Sequence, residues 1–580
     1  MLKSNWARAG TTRFLCLILV FLLSGILSGC SILQSLFAPL PYDGRPTVPF
    51  SEMEYTRPDV DGYLKKVQNT TKTIQENKVA YAKQLNNLNA LNEGYWDYYT
   101  MYTLAYLKYA INTNDPFYSE EYVFFGETEP KINQALENLY VACSQSKHKA
   151  KFESGYFGEG FLDQYEGGGT LSNELVQLLQ QEAQLIQNYG TQTANPTVLY
   201  MGQTHPLEDL LASAYTASER KNILNAYYKQ ANEKLGEIYT ELVKVRLQIS
   251  AKLGYTSYAD YAYERFERDY TAQMGADFVA QVEQKLVPLY KQLTSNPNTQ
   301  TPVLSSLSWR EITNIVGPAV SNIDASVKEA FAFMEEYELY DVAPSSGKVQ
   351  YDFTTYISAY EAPFIVMNAL ENQTDLFSFA HEFGHFTDMY LNYNSNAILD
   401  LSECASQGME YLMLSYLPDT QKELRSNLTE YKMYDTLYIY ITQSAYTAFE
   451  QQVYALKPQE VTLDRINAIA SDVGTRFGLQ DKNMMFSSEW ILIPHFFEEA
   501  FYCISYCVSN DVALQIYQAE CSKSGSGADL YLDLINWDLE QTFLENLDRV
   551  KLVNPCKKER VAEIAQFLQD YYDFELQAAA

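Results

Sequence analysis

The chain has 580 residues, 47% of them hydrophobic, and a formal net charge of −31 at pH 7. That length exceeds what one core serves, so two or more packed subdomains are expected, and the apolar content excludes a largely disordered chain. The acidic balance argues against nucleic acid as a partner, because such a surface repels phosphates.

At the N-terminus, Lys3, Arg8 and Arg13 precede an apolar run from Phe14 to Ile26, which Leu27-Ser28-Gly29-Cys30 closes. A basic start, a short apolar core and small residues before a cleavage point describe a signal peptide over residues 1–29. The L-S-G-C ending looks like a bacterial lipobox, with Cys30 as the lipid-modified first residue of the mature protein. An uncleaved anchor is the alternative, but the run is short for a spanning helix. The expected location is therefore a bacterial cell membrane, reached through the lipid and facing outside the cytoplasm. Residues 30–58 hold Pro39, Pro41, Pro46, Pro49 and Pro58 and read as an extended tether. No later stretch is apolar for long enough to span a bilayer.

Beyond the tether, apolar residues recur at three- and four-residue spacing, which predicts helices over Asp61–Ala110, Lys131–Ser144, Leu171–Tyr189, Glu219–Leu253 and Ser257–Leu293. The chain divides into an N-terminal helical domain over 59–205 and a second domain over 206–580 that carries the chemistry. Gly155–Gly169 reads as a loop, since no strand pattern precedes its glycines. Lys348–Met367 alternates β-branched and aromatic residues and predicts two or three short strands. Asn372–Asp375 then reads as a turn, with Thr374 or Asp375 capping the next helix.

That helix carries His381-Glu382-Phe383-Gly384-His385, two of the five histidines in the chain. Residues four apart share a helix face, so both imidazoles reach one cation with Glu382 beside them, the layout of a zinc peptidase. A catalytic zinc takes three protein ligands and keeps a position for water. Seventeen residues separate His385 from Glu403, room for a turn at Asn392–Asn396 and a second helix starting near Ala397. Glu403 is the expected third ligand to one Zn2+ per chain, with Asp400 as the alternative. Glu382 is placed to take a proton from the water and deliver one to a leaving amine. Glu410 is either a partner of a ligand histidine or a core hydrogen-bonding residue.

Further on, Pro494 suits a helix start. His495, Tyr502 and Tyr506 then fall within about 60° of one another on a helical wheel. One imidazole and two phenols there could donate to a developing oxyanion, or form a packed aromatic face in a chain with 48 tyrosines. Eight cysteines include Cys16 in the signal segment and Cys30. Of the rest, Cys503 and Cys507 lie one turn apart, a poor geometry for a bridge, and are expected as buried thiols.

These residues resemble the zinc oligopeptidase family of thimet oligopeptidase and oligoendopeptidase F. The resemblance covers most of Tyr340–Val508. It rests on Gly347-Lys348, Ala362-Pro363-Phe364-Ile365 with Asn368, F-A-H-E-F-G-H at 379–385, E-C-A-S-Q-G-M-E at 403–410 and P-H-F-F through Tyr506. It implies a mainly α fold, two-lobed and helical, of zincin type, with a small β-sheet beside a deep channel that admits short peptides. It implies His381, His385 and Glu403 as zinc ligands, Glu382 as general base, and His495 and Tyr502 as groups that hold substrate or stabilise the tetrahedral intermediate. Tyr506 matches more loosely. The family usually has a histidine where this chain has Asp388, which adds negative charge on the metal face of the helix. The reading is a lipid-anchored endopeptidase acting on short peptides outside the cell. A non-catalytic peptide-binding lipoprotein is the alternative.

Overall fold

The computed structural model describes residues 46–579, apart from 166–172, 195, 215, 296–303, 350, 393–397, 480–488 and 539–540. The signal segment, Cys30, the first part of the Pro-rich segment and the Asn392–Asn396 turn beyond its first residue lie outside these residues. The described residues are mostly helical, with two small sheets among them. No described helix is long and apolar enough to cross a membrane. The chain forms two units, each assembled from separated stretches.

One unit takes the described residues up to Glu174 together with those of Leu307–Ala397. The end of the Pro-rich segment is docked here: Thr47 donates to the Tyr360 carbonyl at 2.9 Å and Phe50 lies 4.1 Å from the Phe364 ring. Where periodicity predicts one helix over Asp61–Ala110, there are two, Val60–Glu76 and Tyr81–Ile111. Asn77 ends the first in a left-handed conformation, φ 53°, a role asparagine fills because its side chain bonds locally. The next helix, Pro116–Ser144, starts earlier than predicted because Asp115 accepts from the Phe117 and Tyr118 amides and Pro116 sits in the first turn.

The sheet of this unit has Ala362–Val366 at its centre, antiparallel to Phe353–Ile357 and parallel to Tyr340–Asp341. The central strand is buried throughout, which is why it reads as an unbroken apolar run. Lys348 is 3% exposed, and its ammonium donates to the carbonyls of Ala343 at 2.6 Å and Met367 at 3.1 Å and to the Asp341 carboxylate. A Cβ at Gly347 would meet the end of the exposed Asn114 side chain at 2.6 Å, so a larger residue there needs Asn114 to move aside. Asp375 accepts from the Leu370 and Asn372 amides. That pins the turn from the central strand into the helix Asp375–Asn392.

The other unit takes Leu175–Ser306 and the chain from Ile398 onward. Helix Leu399–Tyr416 packs along Ile504–Ser522, both buried over most of their length. The long helix Lys422–Tyr454 packs against both, and the long helix Ala217–Lys252 packs against Lys422–Tyr454 in turn. The predicted Ser257–Leu293 helix is two, Tyr258–Arg265 and Ala272–Ser295. A hairpin of Thr197–Tyr200 and Gln203–Pro206 was not anticipated. Its two loop residues, Met201 and Gly202, have φ of 51° and 86°, the geometry of a tight turn matched to strand twist.

Cys143, Cys404, Cys503 and Cys507 are buried free thiols, and Cys521 and Cys556 are also unbridged. Arg560 and Asp511 form a buried ion pair at 2.7 Å that ties the last helix to Ile504–Ser522. Asp511→Ala leaves the guanidinium only Glu563, at 2.8 Å, so the loss is expected at the low end of about 3–5 kcal/mol. That loss should appear as a lower urea midpoint at an unchanged slope.

Candidate metal centre

Helix Asp375–Asn392 presents His381 and His385 one turn apart, with ring centroids 5.0 Å from each other. One donor atom from each of His381, His385 and Glu403 lies within 4.8 Å of the other two. The donor set fits zinc, which takes imidazole nitrogen and carboxylate oxygen. Burial, reinforced by neighbouring His381, holds the His385 pKa well below the usual imidazole value. A neutral imidazole is the form that ligates a metal.

Glu382 points off the same turn and is 2% exposed. Thr354, on the Phe353–Ile357 strand, donates its hydroxyl to the Glu382 carboxylate at 2.7 Å and to the Glu382 carbonyl at 3.0 Å. The sheet thus fixes the carboxylate by a hydrogen bond from its edge. Nothing in the sequence marks Thr354, because the link joins strand and helix across 28 residues.

Glu403 sits in the second turn of Leu399–Tyr416, 2% exposed. It accepts from the Tyr502 hydroxyl at 2.8 Å and from Ser406 at 3.3 Å. Asp400 lies 3.8 Å from the Arg268 guanidinium, with which it is buried, and is absent from the group that surrounds the paired imidazoles. Glu410 accepts from Lys432 at 2.6 Å. Asp388 is 3% exposed and accepts from the Asn392 side chain at 2.7 Å.

His495 and Tyr502 stack with centroids 4.8 Å apart and planes 11° from parallel, and Tyr506 lies 5.2 Å from Tyr502. The single helix expected to carry all three is absent. Pro494–Glu498 is a five-residue helix, Phe501 has φ 69°, and Ile504–Ser522 begins afterwards. The three rings therefore meet through a bend in the chain and not through 3.6-residue periodicity. Burial lowers the His495 pKa to about 3 and keeps the ring neutral. Burial first, then Glu403, raises Tyr502 well above the ordinary phenol value, so its proton is retained.

Among solved structures, a protein assigned as an oligoendopeptidase F shares the fold, with a TM-score of 0.74 at 24% identity over 91% of this chain and 99% of the other. PZ peptidase A, solved with an inhibitor, matches with a TM-score of 0.74 at 25% identity over 90% and 99%. Oligoendopeptidase F from Enterococcus faecium matches with a TM-score of 0.55 at 15% identity over 88% and 96%. Together with the H-E-x-x-H helix and its downstream carboxylate, the fold defines a mostly helical peptidase. Residues 50–166 match the peptidase M3 N-terminal domain, and residues 320–547 match peptidase family M3. The chain belongs to peptidase family M3. No curated protein matches it in sequence.

Proposed function

We propose that this protein is a zinc-dependent endopeptidase that hydrolyses short oligopeptides, tethered by lipid on Cys30 to the outer side of a bacterial cell membrane. The observation that carries the hydrolytic reading is the His381, His385 and Glu403 cluster with Glu382 on the same helical turn. The anchor rests on the L-S-G-C sequence behind a basic, apolar leader.

His381, His385 and Glu403 would hold the ion. When bound, zinc supplies Lewis-acid polarisation of the scissile carbonyl and lowers the pKa of a water towards neutrality. Glu382 accepts the proton released as that water attacks, and returns a proton to the leaving amine. Thr354 orients Glu382 for this, since its hydroxyl is shared between the Glu382 carboxylate and carbonyl. Neutral His495 offers one ring N–H, and Tyr502 a hydroxyl already held at 2.8 Å from Glu403. His495 is a donor for the negative charge that develops on the carbonyl oxygen, and the Tyr502 proton, donated to Glu403 here, joins it by turning from that carboxylate. Tyr506, against Tyr502, completes this aromatic wall.

Zinc analysis paired with a peptide-library digest read by mass spectrometry tests the reading. Stoichiometric zinc with internal cleavage of short peptides is expected. Zinc loading with peptide bound but uncleaved would replace the enzyme with a peptide-binding lipoprotein. For the anchor, the host should incorporate labelled palmitate into the wild-type chain and not into Cys30→Ser. Equal labelling of both would remove the lipidation site.

A further inference from the structure

The bend between Pro494–Glu498 and Ile504–Ser522 brings His495 onto Tyr502 and Tyr502 onto Glu403. A five-residue helix followed by a residue at φ 69° does not hold itself in place. Its last carbonyls lack helical donors, and a bulky aromatic residue in the left-handed region costs on the order of 1–3 kcal/mol unless its surroundings fix it.

The surroundings are specific. Arg246, on the Ala217–Lys252 helix and fully buried, donates to the carbonyls of Phe496 at 2.9 Å, Phe497 at 2.5 Å and Glu498 at 3.4 Å. Those are the orphaned carbonyls of the short helix, so a guanidinium fork caps its C-terminus. Glu182 at 2.7 Å and Tyr454 at 3.0 Å fix the fork in turn. Glu450 accepts the Phe501 amide with both carboxylate oxygens, at 3.0 and 3.1 Å. It therefore holds the residue in the left-handed conformation, and Tyr502 comes directly after it. Glu450 and Tyr454 stand four apart on the Lys422–Tyr454 helix, on one face. One helix face and one arginine thus grip both ends of the bend.

We infer that Glu450, with Arg246, is a positioning residue that sets the Tyr502 hydroxyl by fixing the backbone at Phe501. The inference rests on Tyr502 serving the reaction as proposed above. Burial pushes the Glu450 carboxyl up to about 8, with the Phe501 N–H pulling it back. Glu450→Gln keeps one carbonyl oxygen for the Phe501 N–H in place of two, so it should restore most of what Glu450→Ala loses.

The test is a double-mutant cycle on the full chain, with a quenched short peptide as substrate. Tyr502→Phe alone should cost about 10²-fold in kcat, and Glu450→Ala alone about 10²-fold with KM little changed. In the Glu450→Ala background, Tyr502→Phe should cost less than about tenfold, because the hydroxyl is already misplaced. Hydrogen exchange supplies a readout independent of turnover. The 499–503 backbone should exchange faster in Glu450→Ala and nearly as in wild type in Glu450→Gln. Losses that multiply to within about twofold, or unchanged exchange over 499–503, would overturn the inference. No loss in Tyr502→Phe alone would instead remove the role of Tyr502 on which it rests. Should Glu450→Ala fail to fold, Tyr454→Phe removes one oxygen from the Arg246 cradle and runs the same cycle with the same criterion.

Discussion

Glu382→Gln is expected to lose ~10²–10⁴ of kcat while retaining zinc and folding as the wild type does. The amide keeps the shape of the carboxylate, and its carbonyl oxygen still accepts from Thr354, the contact that orients the native side chain at 2.7 Å. What disappears is a base. An amide cannot take the proton of an attacking water or return one to a leaving amine, so the interaction lost belongs to the transition state and not to substrate binding. KM should therefore move little while kcat and kcat/KM fall together. Hydrolysis of a quenched peptide, with zinc measured on the same preparation, separates this from metal loss. Wild-type turnover in a zinc-loaded Glu382→Gln enzyme would eliminate Glu382 as the proton shuttle and leave its buried position on the helix without a chemical reason.

The parts of this centre that were legible in the sequence are those fixed by local periodicity. His381 and His385 share a face because they are four apart in a helix, and Glu403 was reachable because the intervening chain is long enough for a turn. The sheet was legible from Phe353–Ile357 and Ala362–Val366, whose β-branched and aromatic residues fit a pleated surface. The two-residue strand Tyr340–Asp341 was not, since two residues carry no pattern. Breaks inside long helical patterns were also hidden. Asn77 stops a helix by backbone conformation, and its neighbours keep helical spacing across the break. The hairpin at Thr197–Pro206 did leave a signal, Gly202 inside a short β-prone run, and that signal was outweighed by the helices on either side. The aromatic trio shows the opposite case. Wheel geometry grouped His495, Tyr502 and Tyr506 on a continuous helix that does not exist. The rings meet because Arg246 and Glu450 hold a bend, and no local rule connects Arg246 to carbonyls some 250 residues later. Long-range donors of this kind are set by tertiary packing, which the pattern of any one segment cannot encode.

Removing the Glu403 carboxylate should abolish activity by a different route. Glu403→Ala leaves His381 and His385 as a two-imidazole site, short of the three protein ligands a catalytic zinc takes. Loss of a supporting group around a zinc ligand already weakens metal binding by about 10–100-fold, so loss of a ligand is expected to exceed about 100-fold. The variant should purify with little zinc and show no turnover. Stability reads the same event without substrate. A ligand bound only by the native state raises its stability by mass action, so a chelator should lower the melting temperature of the wild type and leave that of Glu403→Ala unmoved. Asp400→Asn is the control, because Asp400 is one turn earlier on the same helix and faces Arg268 at 3.8 Å. It should keep full zinc and the chelator response, whatever it costs in overall stability. If instead Glu403→Ala retains stoichiometric zinc while Asp400→Asn loses it, the third ligand is Asp400, and the Tyr502 hydroxyl on Glu403 becomes a contact of the folded core and not of the metal centre.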